Sequence, residues 1–228
     1  MSYRNIGSRL MMAASLVCGG KTVCDVGCDH GKLSLYLVKE GRAQRIIATD
    51  INRQPLDKAI ELFKKNDMEA VGEFFLTDGL QDIGDTQDIT HVVIAGLGGE
   101  TMGQIIEAAP FIKTQRVQLV LVPAQSAPRL RRYLFENGFS ITGEHTVEEK
   151  KKYYTAITAL YTGEKRCPTL YDCYIGNSEQ CEGESAAGYF EMVLSQLRKK
   201  QKGQEIERGE CSEELRFAIE KVQALAEK

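Results

Sequence analysis

Five short apolar runs, set apart by turns and helical patterns, constrain this chain more than any other feature. They are TVCDV (22–26), RIIATD (45–50), EFFLTD (73–78), HVVIA (91–95) and VQLVLV (117–122). Strands that short and that continuously apolar are buried on both faces, which a mainly parallel sheet flanked by helices achieves. The intervening segments fit. Ile6, Leu10, Ala13, Ala14 and Val17 recur at helical spacing until Gly19-Gly20 stops them. Residues 30–40 place Leu33, Leu37 and Val38 on one face, and Gly41 ends that helix. Pro55 sits in the first turn of a helix through Leu56, Ala59, Ile60 and Phe63. GETMGQIIEAAP and APRLRRYLFENG (127–138) are two further helices. FSITGEHTVEEK and KYYTAITALYTG read as two longer strands, an antiparallel pair at the sheet edge.

The tail differs. RCPTLYDCYIGNSEQCEGES reads as loop, and residues 186–201 as a helix with Phe190, Val193, Leu194 and Leu197 apolar. KGQEIERGE reads as a polar turn, and a last helix carries Leu215, Ile219, Val222 and Leu225 on one stripe. This hairpin is too small to stand alone. The expected organisation is an α/β domain over 1–162 followed by a linker and helical hairpin over 163–228.

Composition excludes little. The net charge of −3 falls in the tail, with residues 1–162 balanced, so any nucleic-acid footprint must be a local patch. Seven cysteines without a CxxC pair imply reduced thiols. Cys167, Cys173 and Cys181 have no recognised zinc spacing, and no metal is expected. The N-terminal MSYRNIGSRLMMAASLV is interrupted by Arg4, Ser8 and Arg9 and lacks the apolar core of a signal peptide. It reads as a helix of a cytoplasmic protein, with no membrane span and a monomeric state expected.

In parallel sheets, ligands sit outside the carboxyl ends of the strands. DVGCDHG (25–31) ends the first strand with glycines that allow a sharp turn and close ligand approach. Its Asp-x-Gly-x-x-x-Gly pattern departs from the Gly-x-Gly-x-x-Gly that seats a pyrophosphate, which argues against a nicotinamide oxidoreductase. Asp25, Asp29 and Asp50 favour a cation over a diphosphate. S-adenosylmethionine has that chemistry: a sulfonium, an amine, a ribose diol for Asp50 and an adenine amine for Asp78. AGLGGE (95–100) ends the fourth strand and opens a helix, so its amides can face a ligand. It lacks the Asn/Asp-Pro-Pro-aromatic sequence of many amino-directed nucleic-acid methyltransferases.

The ordered set GSRLMMAASLV, DVGCDHGKLSLYLV, IIATDI, DGL, IAGLGGE and EEKKKYYTAI resembles the bacterial tRNA adenine-22 N1-methyltransferase family. The resemblance covers about the first 160 residues, and the helical tail suits it. It implies a class I, Rossmann-like methyltransferase fold with a coiled-coil-like C-terminal helix pair, S-adenosylmethionine as donor and tRNA as substrate. The cofactor residues it implies are Arg9, Asp25, Gly27, Cys28, Asp29, His30, Asp50, Ile51, Asp78, Gly79, Ala95 and Gly96. The methionine moiety falls near Gly27, Asp29 and His30, the ribose at Asp50, and the adenine near Asp78 and Gly79. Asp29 is the implied catalytic acid, with cofactor-amine binding as its competing role. Gly98 and Gly99 border the target base. The chain departs from the family at Val122-Pro123-Ala124, where Gln-Pro-Asn is common, with Gln125 and Ser126 as substitutes. It departs again at Gly31-Lys32, where Ala-Tyr is common.

RNA contacts need cations. Arg129, Arg131 and Arg132 lie on one short helix, Lys150, Lys151 and Lys152 lie between the last strands, and Arg198, Lys199, Lys200 and Lys202 lie at the expected hairpin turn. Of these, Arg129, Arg132, Lys199 and Lys200 are the primary candidates. Two other readings stand beside it: a methyltransferase for a small molecule or protein, with the same cofactor residues and no RNA footprint, and a non-catalytic RNA-binding adaptor that retains the fold without needing Asp29.

Overall fold

The computed structural model describes residues 5–227, so the first four residues of the N-terminal segment, Arg4 among them, lie outside the described residues. Five strands pair in parallel: β1 (Gly20–Val26), β2 (Ala43–Asp50), β3 (Gly72–Leu76), β4 (Ile89–Ala95) and β5 (Gln118–Val122). Two longer strands, β6 (Phe139–Glu149) and β7 (Lys152–Tyr161), are antiparallel, giving the order β3-β2-β1-β4-β5-β7-β6. The expected edge pair is therefore present, with β7 against β5 and β6 outermost.

Successive residues of each central strand feed opposite faces. Val23, Ile46, Val93 and Val120 pack under α1 (Ser8–Ser15), α2 (Lys32–Lys39) and α3 (Arg53–Lys64), with Ala14, Leu37 and Phe63. Cys24, Ile47, Ile94 and Leu121 pack under α4 (Gly99–Glu107), α5 (Phe111–Thr114) and α6 (Ala127–Glu136), with Met102, Ile112 and Leu134. Strand order reverses between β1 and β4, so the crevice opens at their carboxyl ends. The register Leu121↔Ile157 carries the start of β7 past the end of β5. The β6–β7 turn, with Lys150 and Lys151 left-handed, therefore stands at the crevice end of the sheet.

The tail corrects three expectations. First, the segment read as loop contains α7 (Leu170–Ile175), started by a capping box in which Asp172 N donates to Thr169 Oγ1 at 3.1 Å and Thr169 N to Asp172 Oδ2 at 2.8 Å. Second, α8 (Glu184–Arg208) runs straight through KGQEIER, and the chain reverses only at Gly209 before α9 (Glu213–Ala226). Arg198, Lys199, Lys200 and Lys202 thus lie within α8, not at the turn. Third, Arg131, one of the candidate RNA-contacting arginines, cannot reach a nucleic acid. It is fully buried, with Nε and Nη2 donating to Glu144 at 2.9 and 2.7 Å. Nη1 donates to the carbonyls of Cys173 and Tyr174, and Nη2 also to the Tyr189 hydroxyl. All five guanidinium N–H groups are matched, the condition under which a buried arginine is tolerated. This knot joins α6, β6, α7 and α8, beside a third core of Ile175, Phe190, Val193, Leu197, Leu215 and Val222.

Candidate active site

The loop after β1 is fixed from both sides. The amides of Gly27 and Cys28 both donate to the Thr49 carbonyl at 2.9 Å, and the Asp29 amide donates to Asp50 Oδ2 at 3.1 Å. Asp29 is left-handed at φ 51°, a conformation that Asp and Asn adopt at low cost. Gly31, at φ 67°, opens α2 where a Cβ would lie 2.7 Å from that of Ala59, so only glycine lets α2 and α3 meet there. Asp50 also accepts from Asn52 N at 2.8 Å through Oδ1. Two backbone donors occupy half of its acceptor capacity, leaving each oxygen able to take one more hydrogen.

A cavity of about 110 Å³ opens beside this loop. Seven residues expected at the site line it: Arg9, Asp25, Gly27, Cys28, Asp29, His30 and Ala95. Leu10, Lys32 and Leu33 complete the wall. Asp25 is 3% exposed, and burial pushes its carboxyl up to about 6. A 2.5 Å hydrogen bond from Ser34 Oγ opposes that rise, and the charge of Asp50 adds to it. Burial, then the surrounding carboxylates, push the Cys28 thiol up, so it stays neutral and no nucleophile. The Asp29 side chain is 74% exposed at the rim. Its Oδ1 lies 3.1 Å from His30 Nδ1, outside hydrogen-bond geometry.

Arg9 closes the opposite side. Its amide donates to Glu149 Oε2 at 3.2 Å, and its guanidinium stands 5.3 Å from the centre of the Tyr154 ring. A Cβ on Gly96 would lie 3.5 Å from both terminal guanidinium nitrogens, so the bare backbone of the β4 turn faces this cation. Arg9 Nε is buried and has no hydrogen-bond partner among the described residues. Donors of that kind are normally satisfied, so this one is open to a ligand or a water.

A family model described as a methyltransferase domain matches residues 6–157, two thirds of the chain. The chain belongs to the methyltransferase-domain family. The Bacillus subtilis protein named tRNA (adenine(22)-N(1))-methyltransferase is 29% identical over 161 residues, 70% of this chain and 66% of that protein. The chain spans just under two thirds of the length of the curated relatives it matches first. The crystal structure of the B. subtilis M1A22 tRNA methyltransferase TrmK matches over 98% of this chain and 96% of that one, with 21% identity and a TM-score of 0.77. M. capricolum TrmK, solved with S-adenosyl-homocysteine, matches over 96% of each chain at 23% identity and a TM-score of 0.77. The shared fold extends through the C-terminal helices.

Within this methyltransferase domain the remaining expected residues divide. Asp50, Ile51, Asp78 and Gly79 stand on the β2–β3 side of the crevice. The Ile51 side chain is 67% exposed, Asp78 is exposed, and the Gly79 carbonyl accepts from Thr49 Oγ1 at 2.7 Å. Gly98 bridges to Gln125 and borders the crevice. Gly99 does not: a Cβ there would run into the Ser126 carbonyl and Leu130, so it serves the contact between α4 and α6. Arg129 pairs with Glu100, and Arg132 with Glu136 at 3.3 Å, both on the surface. Lys199 and Lys200 are exposed on α8, outside the crevice. Sequence reasoning missed Glu149 and Tyr154, which reach the site from an antiparallel hairpin far along the chain. Lys32 appeared there only as a departure from the family pattern.

Among the described residues all seven cysteines are free, no cluster of three metal-ligating side chains occurs, and no helix is long and apolar enough to cross a membrane.

Proposed function

We propose that this chain methylates tRNA, using S-adenosylmethionine, at N1 of an unpaired adenine equivalent to position 22. The observation that carries the reading is the pair of carboxylates Asp25 and Asp50 on neighbouring strands, with Asp50 holding the Asp29 amide and Asp25 sharing the first cavity with Arg9. These residues fit an adenosyl cation with a carboxylate tail. Asp25 attracts the positive charge, the free acceptor sites of Asp50 take the ribose hydroxyls, and Arg9 takes the carboxylate. Ile51 offers apolar surface to the adenine. The choice of tRNA and of position 22 is supported by the name of the B. subtilis relative, whose alignment runs through the methyltransferase domain.

When bound, S-adenosylmethionine supplies a methyl group activated by its sulfonium. Adenine N1 carries an in-plane lone pair, so no side chain has to remove a proton before transfer. The protein's work is alignment, with reacting atoms about 3–3.5 Å apart. Positive charge develops on the adenine ring, and Asp29 at the rim can stabilise it or accept a proton from N6. N1 lies on the pairing edge, so the base must be unpaired or turned out of its stack.

The tail, residues 163–228, would supply distant RNA contacts through Lys199 and Lys200, with the Lys150–Lys152 turn nearer the crevice. Arg129 and Arg132 join them, because exposed ion pairs are worth at most about 1 kcal/mol and yield to a phosphate. The protein would act in the cytoplasm. The test is incubation of the purified chain with labelled S-adenosylmethionine and total bacterial tRNA, followed by nucleoside identification. Label in 1-methyladenosine supports the proposal. Label only in a small molecule or a protein, or no transfer beside intact tRNA binding, overturns it.

A further inference from the structure

A second cavity, of about 190 Å³, lies beside the first and is walled by four of the chain's nine tyrosines. It sits beyond the carboxyl end of β5, between residues 123–128, the start of β7, the end of α7 and the buried half of α8. Three of the tyrosines are pinned. Tyr153 lies directly on Gly188 of α8, where any side chain would collide with its ring. Tyr189 holds its hydroxyl 2.9 Å from Arg131 Nη2. Tyr154 carries Arg9 on its ring, and Arg9 lines the first cavity. The Arg9–Tyr154 pair is therefore the wall shared by the two cavities.

Gln125 occupies the remaining side. Its main chain is committed, with its carbonyl accepting from Gly99 N at 2.9 Å. Its carboxamide lies over Gly98: a Cβ there would be 3.7 Å from Nε2. So a rigid aromatic cavity meets one carboxamide beside the turn that ends β4. Aromatic faces stack any nucleobase, and a carboxamide matches the N6–N7 edge of adenine with two hydrogen bonds. That edge shares the N6 amine with the pairing edge and leaves N1 itself uncovered.

We propose that this cavity receives the acceptor adenine, stacked on tyrosine, with Gln125 donating from Nε2 to N7 and accepting from N6 through Oε1, leaving N1 free. The inference rests on the tRNA-methylating reading above and adds the specificity residue that reading lacks. Gln125 selects adenine over guanine, because guanine presents a carbonyl where adenine presents an N6 donor.

The test uses the full chain and two tRNA transcripts, one with adenine and one with 7-deazaadenine at the acceptor position. Transfer by the unaltered chain to the adenine transcript tests the function itself. Its absence sinks that reading and this one together. With transfer present, the 7-deaza transcript should lose about tenfold in kcat/KM with the unaltered chain. Gln125→Ala should lose at least as much on the adenine transcript and show no further loss on the 7-deaza one. Met192→Trp, which fills the cavity, should abolish transfer while S-adenosylmethionine binding by calorimetry stays within about threefold. Equal use of both transcripts by the unaltered chain, or full activity of Gln125→Ala, overturns the assignment and leaves the methyltransferase reading standing.

Discussion

The amide of Asp29 donates to the carboxylate of Asp50, so the loop that ends β1 and the acid that ends β2 form one unit. Asp50 therefore holds the loop, and in the proposed function it would also take the ribose hydroxyls. Asp50→Asn keeps one oxygen for the Asp29 amide, gives up the bond from the Asn52 amide and removes the charge. It should weaken S-adenosylmethionine binding by roughly ten- to hundredfold, the range of a charge-assisted hydrogen bond. Calorimetry measures the affinity, and an unchanged melting temperature shows the loop intact. Undiminished affinity would remove Asp50 from the site.

Asp29 separates chemistry from binding. Its left-handed backbone makes Asn the appropriate substitute, since Ala would add strain at φ 51°. Because the carboxylate stands at the rim, Asp29→Asn should cut turnover about a hundredfold and leave cofactor affinity within about threefold. The reverse pattern would assign Asp29 to the cofactor amine.

Asp25 makes the ligand-free protein sensitive to pH. Its folded value of about 6 lies above the unfolded 3.8, so the folded chain holds the proton more tightly. Its contribution to stability is full below about pH 4 and falls as pH rises through 6, by up to about 3 kcal/mol. A bound cation favours the ionised form, so S-adenosylmethionine affinity should rise between pH 5 and 7. Asp25→Asn should flatten both profiles in paired melting and titration series. An unchanged affinity slope in that variant would place the cation elsewhere.

The buried pair Arg131–Glu144 carries the tail. Glu144→Ala leaves the guanidinium buried without its carboxylate and should cost about 3–5 kcal/mol in urea unfolding. The double variant Arg131→Met with Glu144→Leu should recover most of that loss. Deleting residues 163–228 would strip Arg131 of its two carbonyl partners as well, so truncation damages the fold and cannot isolate RNA contacts.

Charge reversal is the cleaner probe of the tail. Lys199→Glu with Lys200→Glu should weaken tRNA binding and lower its salt slope by about 2, one per lost phosphate contact, with cofactor affinity unchanged. An unchanged slope would make these lysines ordinary surface.

The sheet was legible because its strands end on acids and glycines and its helices carry apolar stripes. The first cavity was legible for the same reason, since the residues closing a parallel strand point at the crevice. Arg131 was not. In APRLRRYLFENG it reads as one of three arginines available to RNA, and its partners lie 13, 42, 43 and 58 residues away. The α7 start was visible in Thr169-Leu170-Tyr171-Asp172, a capping box followed by an apolar run of only three residues before Gly176. The second half of α8 is polar with Gly203 inside it, so nothing local announces helix; its pairing with α9 sustains it.

α8 has 25 residues and is about 37 Å long. Its first half is bolted to the sheet through Tyr153, Tyr189 and the Arg131 knot, and its second half stands clear with the cations. Swinging the helix would break that knot, so the fold itself sets the separation between its lysines and the rim aspartate. Under the proposed function the molecule would work as a caliper: a tRNA would engage both jaws only if its own folded dimensions matched the gap.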